Sequence, residues 1–223
     1  MSTYINKNTI KCAIFDLDGT LLNTIKTINY YLNIALEKNG VPKITEEECK
    51  AYVGYGAKWL IECALNRHDA YSEQMQTKIA VDYDGVYNAD PYYLTEIYEG
   101  IEQALLKLKE QGIILAVLSN KRDFAAREVV ERFFPGTFVL AGGAKEGVPL
   151  KPSPDSLLAM VKELGFTADE CVYIGDSEVD VQTAKNANMP CISVSWGFRT
   201  EEQLKEAGAT TIVKNPIDLI DLK

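Results

Sequence analysis

Two aspartates one residue apart close a short apolar run: Cys12-Ala13-Ile14-Phe15-Asp16-Leu17-Asp18-Gly19. The run reads as a strand buried on both faces. Alternation along a strand end sends Asp16 and Asp18 to the same side, and Gly19 lets the chain turn sharply after them. Neighbouring carboxylates repel, and each raises the pKa of the other. A bound cation resolves that conflict. Carboxylate and carbonyl oxygens are hard donors suited to Mg²⁺, which keeps waters and takes substrate phosphate as well. Further along stand Ser119-Asn120, Lys151-Pro152-Ser153-Pro154, and Gly175-Asp176-Ser177 with Asp180 just after. A hydroxyl, a lysine and several carboxylates make a set for phosphoryl chemistry with a divalent metal. Taken singly, each has a plainer use. Ser119-Asn120 could cap a helix, Lys151 could be solvated, and Gly175-Asp176-Ser177 could be an ordinary turn.

The elements around them decide. Thr24 to Asn39 carries a helical stripe at Ile25, Ile28, Leu32, Ala35 and Leu36, stopped by Gly40 and Pro42. Thr45-Glu46-Glu47-Glu48 is a capping-box pattern. Gly54-Tyr55-Gly56 breaks that helix, Ala57 to Leu65 begins another, and Ser72 to about Asn88 is a fourth. From Leu94 onward helix and strand alternate. Helices are predicted at Ile101–Gln111, Asp123–Phe134, Ser153–Leu164, Val179–Asn188 and Glu201–Ala207, with Ser153 as N-cap and Pro154 at the first helical position. Strands are predicted at Ile113–Leu118, Phe138–Ala141, Cys171–Ile174, Cys191–Val194 and Thr211–Val213. This predicts an α/β fold: a doubly wound parallel sheet with a Rossmann-like core. An all-helical cap is inserted after the first strand. The expected division is a core of residues 1–22 and 92–223, with the cap at 23–91. In such sheets ligands bind beyond the carboxyl ends of the strands. The candidate residues all fall there, in succession.

Bulk properties narrow the partners. The 223 residues carry a net charge of -9, which argues against nucleic acid or an anionic membrane and requires local cations for an anionic substrate. Cys12, Cys171 and Cys191 lie in apolar runs as packed thiols. None of the five cysteines forms a Cys-x-x-Cys pair. Met1 to Thr9 is polar, without a signal-peptide core, and no apolar run suffices for a membrane span. A reducing cytoplasm is the expected location. The single histidine, His68, reads as a surface residue and rules out multi-histidine sites. No cysteine has arginine six positions on, and no Gly-x₄-Gly-Lys loop is present.

Taken together, Asp16-Leu17-Asp18-Gly19-Thr20, Ser119, Lys151 and Gly175-Asp176-Ser177-Glu178-Val179-Asp180 resemble the four ordered motifs of the haloacid dehalogenase-like phosphohydrolases. The resemblance spans nearly the whole chain. Within that superfamily, Val53-Gly54-Tyr55-Gly56-Ala57, Ser119-Asn120-Lys121 and Lys151-Pro152-Ser153-Pro154 look most like phosphoglycolate phosphatases with a helical cap of the first type. One departure is Asn23, where many relatives carry an acid.

The resemblance implies an enzyme, a Mg²⁺-dependent phosphoric monoester hydrolase. Asp16 would be the nucleophile that forms an aspartyl phosphate, and Asp18 the general acid and then base. Mg²⁺ would sit on Asp16, the backbone carbonyl of Asp18 and Asp176, with Asp180 outside the ligand set. Ser119 and Lys151 would hold the phosphoryl oxygens, with the backbone N–H of Asn120 as a further donor. A dehalogenase would not need an acid at position 18. The related sugar phosphomutases carry a cap histidine where this chain has Ile28. The expected substrate is a small anionic phosphorylated metabolite, 2-phosphoglycolate first. Sugar phosphates, nucleotides, pyrophosphate, a β-phosphoglucomutase-like transfer and a catalytically silent phosphate binder are the alternatives. Lys58, in the first turn of a cap helix behind Gly54 and Gly56, is expected to meet the substrate carboxylate. Lys121 and Arg122 compete for that task. The sequence leaves the oligomeric state open.

Overall fold

A computed structural model describes residues 10–222; Met1 to Thr9, expected to be polar and without a signal-peptide core, lie outside the described residues. The chain divides into two compact units, crossing from one to the other after Asn23 and returning after Glu96.

The core unit begins with β1 (Cys12–Phe15), buried at every position as its unbroken apolar run requires. β2 (Leu22–Asn23) leads out of this unit and β3 (Glu96–Ile97) leads back. The helical unit holds α1 (Ile25–Lys38), α2 (Glu46–Tyr52), α3 (Ala57–Arg67) and α4 (Glu73–Tyr87). The apolar stripe of α1 is its buried face. Thr45 and Glu48 cap α2 reciprocally, and the Ser72 side chain accepts from the Met75 N–H at the start of α4. His68, expected at the surface, is half-buried at the end of α3, and its Nε2 is buried without a hydrogen-bond partner.

The remaining core elements are α5 (Ile101–Glu110), β4 (Ile114–Arg122), α6 (Asp123–Phe133), β5 (Leu140–Ala144), α7 (Asp155–Glu163), β6 (Cys171–Gly175), α8 (Glu178–Asn186), β7 (Cys191–Val194), α9 (Glu201–Glu206) and β8 (Ile212–Val213). Their six-stranded sheet has the order β5-β4-β1-β6-β7-β8, and its neighbouring strands all pair in parallel. The chain winds outward from β1 to β4 and β5, then returns to β6 on the other side of β1. The strand order reverses there, the place where open α/β sheets bind ligands.

Three local expectations need correcting. β4 runs on through Ser119, Asn120 and Lys121 to Arg122, with a register shift between Leu118 and Arg122. Such irregularities re-aim side chains beside active sites. β5 begins later than Phe138 and extends through Gly142 and Gly143. Gly143 lies so close to the Lys121 carbonyl that a Cβ would overlap it. Finally, α7 starts at Asp155 with Pro154 in the N-cap place, one residue later than expected, while the Ser153 hydroxyl accepts from the Asp155 N–H at 3.5 Å. No helix among the described residues is long and apolar enough to cross a membrane.

Candidate active site

Sheet register gathers the first residues. Phe15 pairs with Ile174 on one side and Val117 on the other. Asp16, Ser119 and Asp176 therefore emerge at neighbouring positions on one sheet edge. The Asp16 N–H donates to the Ile174 carbonyl at 2.8 Å, which fastens the end of β1 to β6.

Lys151 lies at the middle of the cluster, buried. Its Nζ is 2.9 Å from Asp16 Oδ1 and donates to Asp180 Oδ1 at 2.8 Å and the Tyr173 hydroxyl at 2.9 Å. Tyr173 in turn donates to the Leu118 carbonyl at 3.0 Å. The Asn120 side chain fixes the lysine backbone from both sides. Its Nδ2 donates to the Lys151 carbonyl, and its Oδ1 accepts from the Lys151 N–H, each at 2.9 Å. The sequence pointed to the backbone N–H of Asn120 as a substrate donor; its side chain has the separate task of holding the Lys151 backbone. The Ser119 hydroxyl accepts from the Lys121 N–H at 3.1 Å. That leaves its own proton to donate.

Asp18 stands apart from this network. Both of its carboxylate oxygens accept from Lys121 Nζ, at 2.7 and 3.0 Å. Lys121 is thus tied to Asp18. Arg122 is exposed at the end of β4. Lys58 is exposed on α3 in the other unit, next to Tyr55 and Trp59, whose rings lie 5.8 Å apart.

Asp16, Asp176 and Asp180 each offer an oxygen within 4.8 Å of the others, and all three are buried. Asp180 has both oxygens engaged: Oδ1 takes Lys151, and Oδ2 takes the Ser177 hydroxyl and N–H at 2.6 and 3.1 Å. Asp176 accepts from the Thr20 hydroxyl at 3.1 Å and from the Phe198 N–H at 2.8 Å. Gly19, at φ +88°, lies against the Asp176 carboxylate where no side chain could fit. Asp16 Oδ1 is buried with an ion-pair neighbour but no hydrogen-bond donor.

The electrostatics show a shortage of positive charge. Burial pushes the Asp16 carboxyl up to about 7; Lys151 opposes the shift, while Asp180 and Asp18 reinforce it. Burial, then Asp180 and Asp16, hold Asp176 well above the usual carboxylate range against the Phe198 N–H and Arg199. Burial alone would lower Lys151, but Asp16 and Asp180 outweigh it and keep the ammonium charged. A divalent cation on Asp16 and Asp176 answers the crowded charge. The donors are all hard oxygens, which fits Mg²⁺.

Comparison with known proteins agrees. The family model of haloacid dehalogenase-like hydrolases matches residues 13–194, from within β1 to the end of β7. The chain belongs to this family. It is a hydrolase, and its four motif segments are the ones gathered on the sheet edge. It is 29% identical over 216 residues to phosphoglycolate phosphatase 1 of Pseudomonas aeruginosa, covering 94% of this chain and 78% of the relative. It is 27% identical to the phosphoglycolate phosphatase of Vibrio parahaemolyticus over 96% of both chains. A solved structure from Lactobacillus delbrueckii subsp. bulgaricus, provisionally named a phosphoglycolate phosphatase, superimposes with TM-score 0.91. It shares 35% identity and covers 96% of this chain and 98% of its own.

Tyr173, Thr20 and the Ser195–Arg199 loop were missed in the sequence. Tyr173 is hidden in an apolar strand and gives no signal. The loop follows β7 on the same sheet edge, and the strand-end rule that found Asp176 could have found it too.

Proposed function

We propose that this hydrolase is a Mg²⁺-dependent phosphatase acting on a small anionic phosphate monoester, 2-phosphoglycolate first, through an aspartyl phosphate on Asp16. The observation that carries this reading is the Asp16 carboxylate. It ends the central strand, is buried, and lies 2.9 Å from the Lys151 ammonium. The names of the relatives support the substrate class.

Asp16 attacks phosphorus in line while the bond to the leaving oxygen breaks, dividing one hard displacement into two easier ones. Lys151 and the Ser119 hydroxyl take the equatorial phosphoryl oxygens, with Lys151 as a fixed point charge. Asp18 gives its proton to the departing alcohol. In the second step it takes a proton from the water that attacks the aspartyl phosphate. Lys121, on both oxygens of Asp18, fixes where that acid stands. Mg²⁺ held by Asp16, the Asp18 carbonyl and Asp176 would supply the positive charge that lets two anions meet. Asp180 and Asn120 orient Lys151 from outside the reaction. The reading places the enzyme in the cytoplasm, with Lys58 meeting the substrate carboxylate.

The test is a panel of phosphate esters compared by kcat/KM, with and without Mg²⁺. 2-Phosphoglycolate should lead sugar phosphates, nucleotides and pyrophosphate, and chelation should abolish turnover of all of them. Full activity after thorough chelation would count against the metal. A nucleotide or sugar phosphate at the top of the panel would replace the substrate.

A further inference from the structure

We propose that the Ser195–Arg199 loop, which follows β7, locks Asp176 as a single-oxygen ligand and so sets the preference of the site for Mg²⁺ over Ca²⁺. The inference rests on the reading of Asp176 as a metal ligand.

Four contacts carry it. First, each Asp176 oxygen already has a donor from a different direction: the Thr20 hydroxyl on Oδ1 at 3.1 Å and the Phe198 N–H on Oδ2 at 2.8 Å. Two donors on opposite oxygens fix the plane of the carboxylate. Any swing of the group that brought a second oxygen onto an ion would break these bonds. Second, Gly197 closes the space behind. A Cβ there would overlap the Asp176 Cβ, its Oδ2 and the Gly19 carbonyl, so the loop backbone lies flat against the carboxylate and blocks rotation. Third, the Trp196 indole N–H donates to the Thr20 carbonyl at 3.0 Å, tying the loop to the turn that follows Asp18. Fourth, the buried Arg199 grips Glu178 with Nε and one terminal nitrogen, at 2.8 and 3.2 Å. This ties the other end of the loop to the first turn of α8, directly after Asp176.

The loop thus bridges the segments that carry Asp16 and Asp176. Mg²⁺ demands a near-ideal octahedron with short bonds, which one oxygen from a fixed carboxylate suits. Ca²⁺ takes six to eight oxygens and gains from carboxylates free to swing into two-oxygen contact. A rigid Asp176 therefore favours the smaller ion, and a loosened one should forfeit that preference.

The test is calorimetric titration of Mg²⁺ and, separately, Ca²⁺ into the full-length metal-free protein without substrate. Wild type is compared with Trp196→Phe, Arg199→Met and Gly197→Ala, each checked for an intact fold by circular dichroism. The expected result is a loss of Mg²⁺ affinity of about 10-fold, the scale of changes behind a metal ligand, with a smaller loss or a gain for Ca²⁺. Gly197→Ala should show the largest shift; should it fail to fold, the other two variants decide. Equal losses for both ions, or no change in folded variants, would overturn the inference. Wild type that binds neither ion would overturn the metal site itself, and the inference with it.

Discussion

Asp16 is asked to be an anion where burial disfavours one. Burial and the neighbouring Asp180 and Asp18 push it up to about 7 despite Lys151. Asp16→Asn should remove nearly all turnover, because an amide cannot serve as the nucleophile. It should not cost stability. Without metal at about pH 8, the variant should melt no lower than wild type, since it removes a desolvated charge from a crowded cluster. A variant that melts well below wild type would show that Asp16 is needed for the fold, contrary to this account. Asn120 makes a second residue-scale case. Asn120→Ala removes both bonds to the Lys151 backbone, each worth about 1 kcal/mol. It should lower kcat/KM about 10-fold or more while leaving Mg²⁺ affinity unchanged, as steady-state kinetics and calorimetry can check.

At the scale of elements, the sequence was informative wherever periodicity and burial agreed. β1, β6 and β7 are apolar runs of four or five residues, and they occur where the pattern puts them. The capping box at Thr45 marks the start of α2 to the residue. Errors cluster where one backbone approaches another. The predicted strand stops at Ala141, before Gly142 and Gly143, because nothing in the sequence shows that β4 passes close by. The predicted strand stops at Leu118 because polar residues rarely continue a buried strand, yet β4 runs on to Arg122 across a register shift. The same holds for the site. Asp16, Asp18, Ser119 and Asp176 stand out by their place after apolar strand runs, and Lys151 by its place just before a helix start. Their supporting bonds, from Asn120 to the Lys151 backbone and from Tyr173 to the Lys151 ammonium, cross the fold and leave no local trace.

For the molecule as a whole, metal, proton and fold are linked. The folded-state value for Asp16, about 7, lies above its ordinary 3.8. Between those values the folded protein keeps a proton that the unfolded chain has released. Stability is then greatest below this window and falls as pH rises through it. Glu48, Glu170 and Glu201, held down to about 2 by hydrogen bonds, lose their contribution only at more acidic pH. The metal-free protein should therefore melt higher at about pH 5 than at about pH 8, and saturating Mg²⁺ should remove most of that difference. Metal-free melting temperatures that climb with pH over the same range would contradict this. Lys58 poses the question of specificity for the second unit. Lys58→Ala should cut kcat/KM for carboxylate-bearing esters by roughly 10-fold or more and spare an uncharged aryl phosphate. Equal effects on both substrates would return Lys58 to the surface.

The central claim is that phosphate passes through Asp16. Enzyme quenched in acid during turnover of 2-phosphoglycolate, then digested and analysed by mass spectrometry, tests it directly. The account predicts a phosphoryl group on the peptide containing Asp16, released by hydroxylamine as an acyl phosphate and absent from Asp16→Asn. A phosphoryl group on another residue, or wild-type turnover by Asp16→Asn, would contradict it.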